Sequence, residues 1–487
     1  MPDAVLSFSS NLVLGLLSAV VVSRLYGVAA IGEFALISAP YVLVSQFSSV
    51  GEQVALVRTL ASESAASARA TSVFLVVLGF STALTVVAAA IAAPIAVLLL
   101  RGPAGQSELV APALILLATY VVFGNVAWNC DMAQTAFRGT RALLISRFLD
   151  VTLLLLLSVV LALTGRADSG GLVLATVVSL GSTLLLRLYL LRTVLTVPPS
   201  RAALRDAVRE LPELLRFGIK IVPGALAQAA TAQAGIWIIS AVRTVDVVGA
   251  YSRANNLATR LGDAGLRLGE VILPSLSQSV HEGDYAGASA RFSRWQRVIV
   301  LGLLAAVAPL AGAAEGVLGI FGPGFSSAWL VLGLLLFAYG AGIVNAIQVQ
   351  FLFALGHPGQ VSQLMLGRAA MTLVLTAPLT FFYGATGAAA ALLGGFLLEL
   401  LLALRVLQRR LRPHEAEITP LPWVSLGLAT AGAWVSARLV DRALVGLPGA
   451  AVAVAAGIAA YAVVVLARRL VTVAELRALA AGLGGRA

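Results

Sequence analysis

The chain is 487 residues long, 60% hydrophobic and only 11% charged, with a formal net charge of +11. A soluble domain carries about 25% charged residues, so a mean hydropathy of +0.97 leaves too little polar surface for a water-soluble globule. Composition thus excludes a string of soluble domains, and the length reads as a bundle of membrane spans of about 20 residues each.

In chain order, apolar runs lie near 5–25, 33–57, 71–100, 108–130, 143–165 and 169–192. A polar stretch, 198–216, follows. Eight more runs lie near 217–242, 247–276, 295–320, 327–355, 361–383, 385–407, 421–441 and 446–467. The expectation is an all-α integral membrane protein with about fourteen crossings. In the polar stretch Ser200 can cap a helix with Leu204, Val208 and Leu211 at helical spacing, which predicts an amphipathic linker helix at the inner interface. Thr472-Val-Ala-Glu475 has the form of a capping box and suggests a similar helix in the tail.

The basic residues do not gather on one domain, so the positive charge is no nucleic-acid footprint. They recur in short loops between apolar runs. With the N-terminus in the cytoplasm, twenty-four fall on the inner side and six on the outer side, and three lie inside one span. This bias predicts an even number of crossings with both termini cytoplasmic; the expected location is a bacterial plasma membrane. Cys130 is the only cysteine, so no intrachain disulfide is possible, and the three His residues are too scattered for a metal site. The first apolar run carries no cleavage pattern of a removable signal peptide.

A weak internal repeat divides the chain. Ile31-Gly-Glu-Phe34 resembles Val248-Gly-Ala-Tyr251, and Gly51-Glu52 matches Gly269-Glu270, at offsets of 217 and 218 residues. An offset of six helices gives parallel repeats. The expected organisation is an N-lobe over 1–197, the linker helix over 198–216, a C-lobe over 217–410, and a last pair of spans with the tail over 411–487.

The eighth run is the most informative. It holds Arg253, Asn256, Arg260, Asp263, Arg267 and Glu270, with the three Arg seven residues apart and the other three likewise. Seven residues make about two helical turns, so the six side chains form one stripe about 100° wide and about 25 Å long. Facing lipid, five such charges would cost on the order of 10 kcal/mol or more. The stripe therefore faces protein or water. In one reading the Arg line a cavity and bind an anionic headgroup, with Asp263 and Glu270 holding Arg260 and Arg267. In the other the stripe is a buried ion-pair ladder, or an amphipathic helix that does not cross. Glu52 on the second run is a carboxylate for ion coupling, or else a partner of Arg58. Arg24 is a substrate contact or a snorkelling side chain at a helix end. Asn11, Ser18, Gln228 and Thr231 read as cavity lining or as interhelical hydrogen-bonding groups. Asp131, Asp150 and Glu399 read as structural partners of nearby Arg.

Several chemistries are absent. The only lysine, Lys220, follows Ile219, so there is no Walker A loop, and no Gly-x-Ser-x-Gly or zinc motif appears. The expectation is a transporter with no catalytic residues, no metal and no cofactor.

Four stretches carry a family resemblance. They are Ser23-Arg-Leu-Tyr-Gly27 with Gly32-Glu-Phe34; Leu273-Pro-Ser-Leu-Ser277 before a Gly-Asp turn; Ile320-Phe-Gly-Pro-Gly-Phe-Ser-Ser-Ala-Trp-Leu330; and Asn345 with Phe353-Ala-Leu-Gly-His-Pro358. In their order and spacing the chain resembles the oligosaccharide flippases of polysaccharide biosynthesis, in the multidrug/oligosaccharidyl-lipid/polysaccharide (MOP) exporter superfamily. The resemblance implies two six-helix lobes in a V plus two C-terminal helices. It also implies alternating access and transfer of a polyprenyl-pyrophosphate-linked glycan from the inner to the outer leaflet. Membrane lipids, the lipid-linked glycan and a coupling ion, H+ or Na+, are the implied partners. Related flippases use cavity Arg residues, and Arg253 suits that role. The chain departs from the peptidoglycan-precursor branch in carrying Glu52 and no Arg cluster on its first span. The alternatives are that lipid flippase, a cation-coupled multidrug exporter of the same fold, or a non-transporting partner of a glycan machinery.

Overall fold

The computed structural model describes residues 2–47, 56–57, 59–60, 63–102, 104–137, 139–218, 222–444 and 446–470. Within its helices the side chains of 2–12, 47, 140, 213–218, 222, 225, 232, 263–275 and 358 are outside the description. Glu52, Arg58 and the predicted tail helix fall outside the described residues, as does the side chain of Asn11.

Every regular element among the described residues is helical, and eleven helices are long and apolar enough to cross a membrane. Helix α1 (Pro2–Phe47) carries the first two predicted spans and breaks at Gly27, where φ is 77°. That left-handed value suits glycine, which has no Cβ to clash. Ser67 opens α2 (Ala68–Arg101) by accepting a hydrogen bond from the Ala70 amide at 3.0 Å. The fourth run is two helices, α3 (Val110–Thr119) and α4 (Asn125–Ala136), joined by a π turn at Tyr120–Gly124. Then come α5 (Thr140–Leu163) and α6 (Ser169–Arg192). The predicted linker helix is α7 (Arg201–Gly218), capped by Ser200, whose Oγ accepts from the Ala203 amide at 3.1 Å.

Helices α8 (Val222–Val242) and α9 (Val245–His281) cover the seventh and eighth runs. At 37 residues α9 is long enough to cross, yet its charges keep it out of the apolar set. Next are α10 (Tyr285–Gly312), the short α11 (Ala314–Gly319), α12 (Trp329–Ala354), α13 (Pro358–Tyr383), α14 (Ala385–Leu411), α15 (Trp423–Ala443) and α16 (Leu447–Ala467). Among the described residues each of the fourteen runs thus falls on a helix, the first two sharing α1. One boundary differs clearly. The ninth apolar run covers 295–320, whereas α10 starts at Tyr285, capped by Asp284. Its first turns are amphipathic, with Phe292, Ser293 and Gln296 buried and Arg291 and Arg294 exposed, and hydropathy alone is blind to such turns.

The chain forms two compact units: Met1–Ser252 with Phe321–Pro323 and Pro358–Ala388, and Arg253–Ile320 with Gly324–His357 and Ala389–Ala487. In the first, Leu56, Leu60, Val73, Phe74, Val77, Cys130 and Ala207 pack into one core. In the second, α15 and α16 dock through small residues, which let helix backbones approach closely where lipid offers no hydrophobic drive. A Cβ on Gly312 would sit 2.6 Å from the Trp434 carbonyl oxygen, and one on Gly457 would sit 2.7 Å from Pro309 Cβ.

Candidate functional site

The predicted stripe sits on α9. Arg253 is half-buried, and its Nε is buried without a hydrogen-bond partner among the described residues. One and two turns further on, Asn256 and Arg260 are exposed. An exposed guanidinium among membrane helices has to meet water or a polar ligand, since lipid exposure is costly. The side chains of Asp263, Arg267 and Glu270 lie outside the described residues, although the α9 backbone runs on through them.

The sequence reading missed two neighbours of this stripe. Asn255, not Asn256, takes part in a helix–helix hydrogen bond, accepting from the Tyr339 hydroxyl at 3.0 Å. Gly262 lies against the same ring, where an added Cβ would sit 3.2 Å from Tyr339 Cδ1. Tyr339 of α12 therefore fixes the rotation of α9 and, with it, the direction in which Arg253, Asn256 and Arg260 point. The signal in the sequence was faint: a single Tyr in an apolar span, whose hydroxyl needs a partner once buried.

The other predicted side chains are distributed as follows. Arg24 is exposed on α1, close to Gly322 in the same unit. Ser18 and Thr231 are buried, and Gln228 is exposed. Thr231 donates to the Gln228 carbonyl one turn back, a local bond and not an interhelical one.

Two buried polar groups hold the scaffold. In the first unit Arg187 of α6, 4% exposed, donates from Nε to Asp131 of α4 at 2.9 Å and approaches Asp150 of α5 at 3.5 Å. Thr183 accepts from Arg187 Nη1 at 3.0 Å, and Arg147 stands 3.7 Å from the second Asp131 oxygen. In the second unit Asn345 of α12 donates to Glu399 of α14 at 3.0 Å and to the Phe396 carbonyl at 3.0 Å. Asn345 and Glu399 follow Asp131 and Arg187 at offsets of 214 and 212 residues. The offsets are close to those of the repeated glycine motif, and the two pairs differ in charge. A further cluster joins Arg438 of α15 to Glu315 at 2.8 Å and to Asp441 at 3.5 Å, with its guanidinium 3.9 Å above the Trp329 ring. Arg187, Arg368 and Arg438 are buried within helices, so they carry no weight in the loop-charge bias.

The repeat motif also meets itself. A Cβ on Gly32 would overlap the Val245 carbonyl oxygen and lie 3.0 Å from the Gly249 amide nitrogen. A Cβ on Gly249 would overlap the Val28 carbonyl oxygen and lie 3.0 Å from the Gly32 amide nitrogen. The partners Val28 and Gly32 recur as Val245 and Gly249 at the offset of 217 seen in the sequence. Such reciprocity is what a two-fold axis through the contact produces.

Outside the spans, His357 sits in the turn after α12. Burial, and then the nearby charge of Arg410, hold its imidazole below the ordinary value.

Comparison with known proteins agrees with this architecture. A family model described as polysaccharide biosynthesis protein matches residues 21–330. The chain is similar in structure to lipid II flippase MurJ in an inward closed conformation, with a TM-score of 0.72 at 11% identity, covering 94% of this chain and 97% of that one. It is also similar to a multidrug resistance MATE family transporter of the MOP superfamily in an inward-facing conformation. There the TM-score is 0.63 at 16% identity, covering 83% of this chain and 95% of that one. A third similar structure is a MOP superfamily transporter from Pyrococcus furiosus, described as having a binding pocket of reverse polarity. Its TM-score is 0.58 at 17% identity, with 84% and 94% covered. At these identities the likeness establishes the fold. A search of curated protein sequences finds no match.

Proposed function

The chain belongs to the polysaccharide biosynthesis protein family, and from that membership we propose that it moves a polyprenyl-pyrophosphate-linked oligosaccharide from the inner to the outer leaflet. Its multi-pass fold is that of MOP-type flippases and exporters. The observation that carries the substrate class is the α9 stripe: a half-buried guanidinium with an unpartnered Nε, followed along the helix by exposed Asn256 and Arg260. A pyrophosphate must leave water, be held and then be released. Arg suits that task because its planar fork makes charge-assisted, bidentate contacts with phosphate oxygens while being only weakly hydrated.

In this reading Arg253, Arg260 and Arg267 hold the pyrophosphate, Asn256 donates to it, and Arg24 offers a further contact. Asp263, Glu270 and Glu52 are the proposed carboxylates for balancing those cations or coupling an ion. The lobes, the cytoplasmic termini and the bacterial plasma membrane belong to the same proposal, the termini supported by the loop-charge bias.

Single Arg253→Ala, Arg260→Ala and Arg267→Ala variants test it, with outer-leaflet appearance of lipid-linked glycan as the readout at matched protein levels. Export should fall at least tenfold for Arg253→Ala and stay near wild type for Leu257→Ala on the neighbouring face. Normal export by all three Arg variants would remove the mechanism. Loss of organic-cation efflux instead of glycan export would favour the multidrug reading.

A further inference from the structure

We propose that helix α7 carries a binding face for anionic phospholipid headgroups, formed by Arg201, Arg205 and Arg209. These residues recur every fourth position, so their side chains fall within an arc of about 80°. All three are exposed, and among the described residues none pairs with a carboxylate. The opposite side of α7 is the packed one: Ala207 is 4% exposed and shares a core with Leu56 and Leu60, with Leu211 against the same cluster. Exposed Val208 borders the Arg arc on one side and exposed Asp206 on the other.

Three anchors fix the depth of this face. Arg69, in the first turn of α2, donates to both carboxylate oxygens of Glu210 at 3.1 and 3.2 Å and pairs with Glu63 at 3.2 Å. Thr71 of the same turn donates at 2.7 Å to the Val197 carbonyl in the segment leading into α7. At the other end only residues 219–221 separate α7 from α8, a connection that reaches about 14 Å at most. The middle of α7 is therefore tied to the start of one membrane helix, and its end to the start of another. That places its charges at the membrane surface, where phosphate groups lie. A guanidinium matches a phosphate diester in charge and geometry, and exposed Val208 can rest on the acyl boundary beside it. Juxtamembrane basic residues strengthen binding to anionic bilayers roughly fivefold each.

The test uses the full chain purified in neutral detergent, with the thermal unfolding midpoint followed during titration. Phosphatidylglycerol should raise the midpoint, while phosphatidylcholine and inorganic phosphate should leave it unchanged. The triple variant Arg201→Gln, Arg205→Gln, Arg209→Gln should keep the midpoint seen in detergent alone and lose the phosphatidylglycerol shift. A triple Lys variant at these positions should keep most of the shift. Arg291→Gln, Arg294→Gln, Arg405→Gln, which removes equal charge from exposed sites elsewhere, should keep it in full. An equal shift in both Gln triples, an equal effect of inorganic phosphate, or no phosphatidylglycerol shift in the wild type would each overturn the proposal. The readout needs no transport, so it stands or falls apart from the flippase reading.

Discussion

Arg187→Leu is expected to destabilise the protein by roughly 3–5 kcal/mol, the usual range when one partner of a buried ion pair is removed. The reason is local. Arg187 is the guanidinium that reaches both Asp131 and Asp150, and it also donates to Thr183. Without it two carboxylates face each other inside a helix bundle, and among the described residues the cation left near Asp131 is Arg147, at 3.7 Å. Those charges would have to take up protons or open the α4–α6 packing to water. The double variant Arg187→Leu, Asp131→Leu should be less destabilised than the single one, because the stranded charge is gone. Thermal or SDS-induced unfolding in detergent measures both. A single variant as stable as the wild type would show that the pair contributes nothing.

Gly249→Ala is expected to be a strongly disruptive single-methyl change. Its Cβ would overlap the Val28 carbonyl oxygen, a backbone atom that cannot rotate away, so α1 and α9 must separate. Overpacking of this kind costs about 1–3 kcal/mol, and export should fall with it because α9 also carries the Arg stripe. Gly32→Ala should behave alike through the Val245 carbonyl. The two effects should not add, since one separation of the helices relieves both clashes. Gly79→Ala on α2, with open space around its Cα, is the matched control and should be neutral or slightly stabilising. Full additivity, or a Gly249→Ala protein indistinguishable from the Gly79→Ala control in stability and export, would refute the contact.

The α9 stripe shows where sequence reading succeeds and where it ends. The seven-residue spacing of Arg253, Arg260 and Arg267 is a helical property, so it is visible in one dimension. What holds the stripe in orientation is Tyr339, which lies 84 residues away from Asn255 and shares no local pattern with it. Likewise Asp131 and Asp150 could be assigned Arg partners from charge alone. That Arg187 serves both, and that Glu399 meets Asn345, depends on which helices are neighbours. A window average also cannot tell a buried, paired guanidinium such as Arg187 or Arg438 from one at a membrane edge.

The sequence by itself determined the membrane class, the fourteen apolar runs, the amphipathic linker and the internal repeat. Each follows from local composition and period: a bilayer demands about 20 apolar residues per crossing and internal hydrogen bonds for every backbone group. Only the tertiary structure decided what the repeated glycines are for. Ile31-Gly32 and Val248-Gly249 were a similarity of letters; in the fold the two glycines lie against each other's helix backbone. Contacts of that kind join residues more than two hundred positions apart, and packing between helices, not propensity within them, selects the partners.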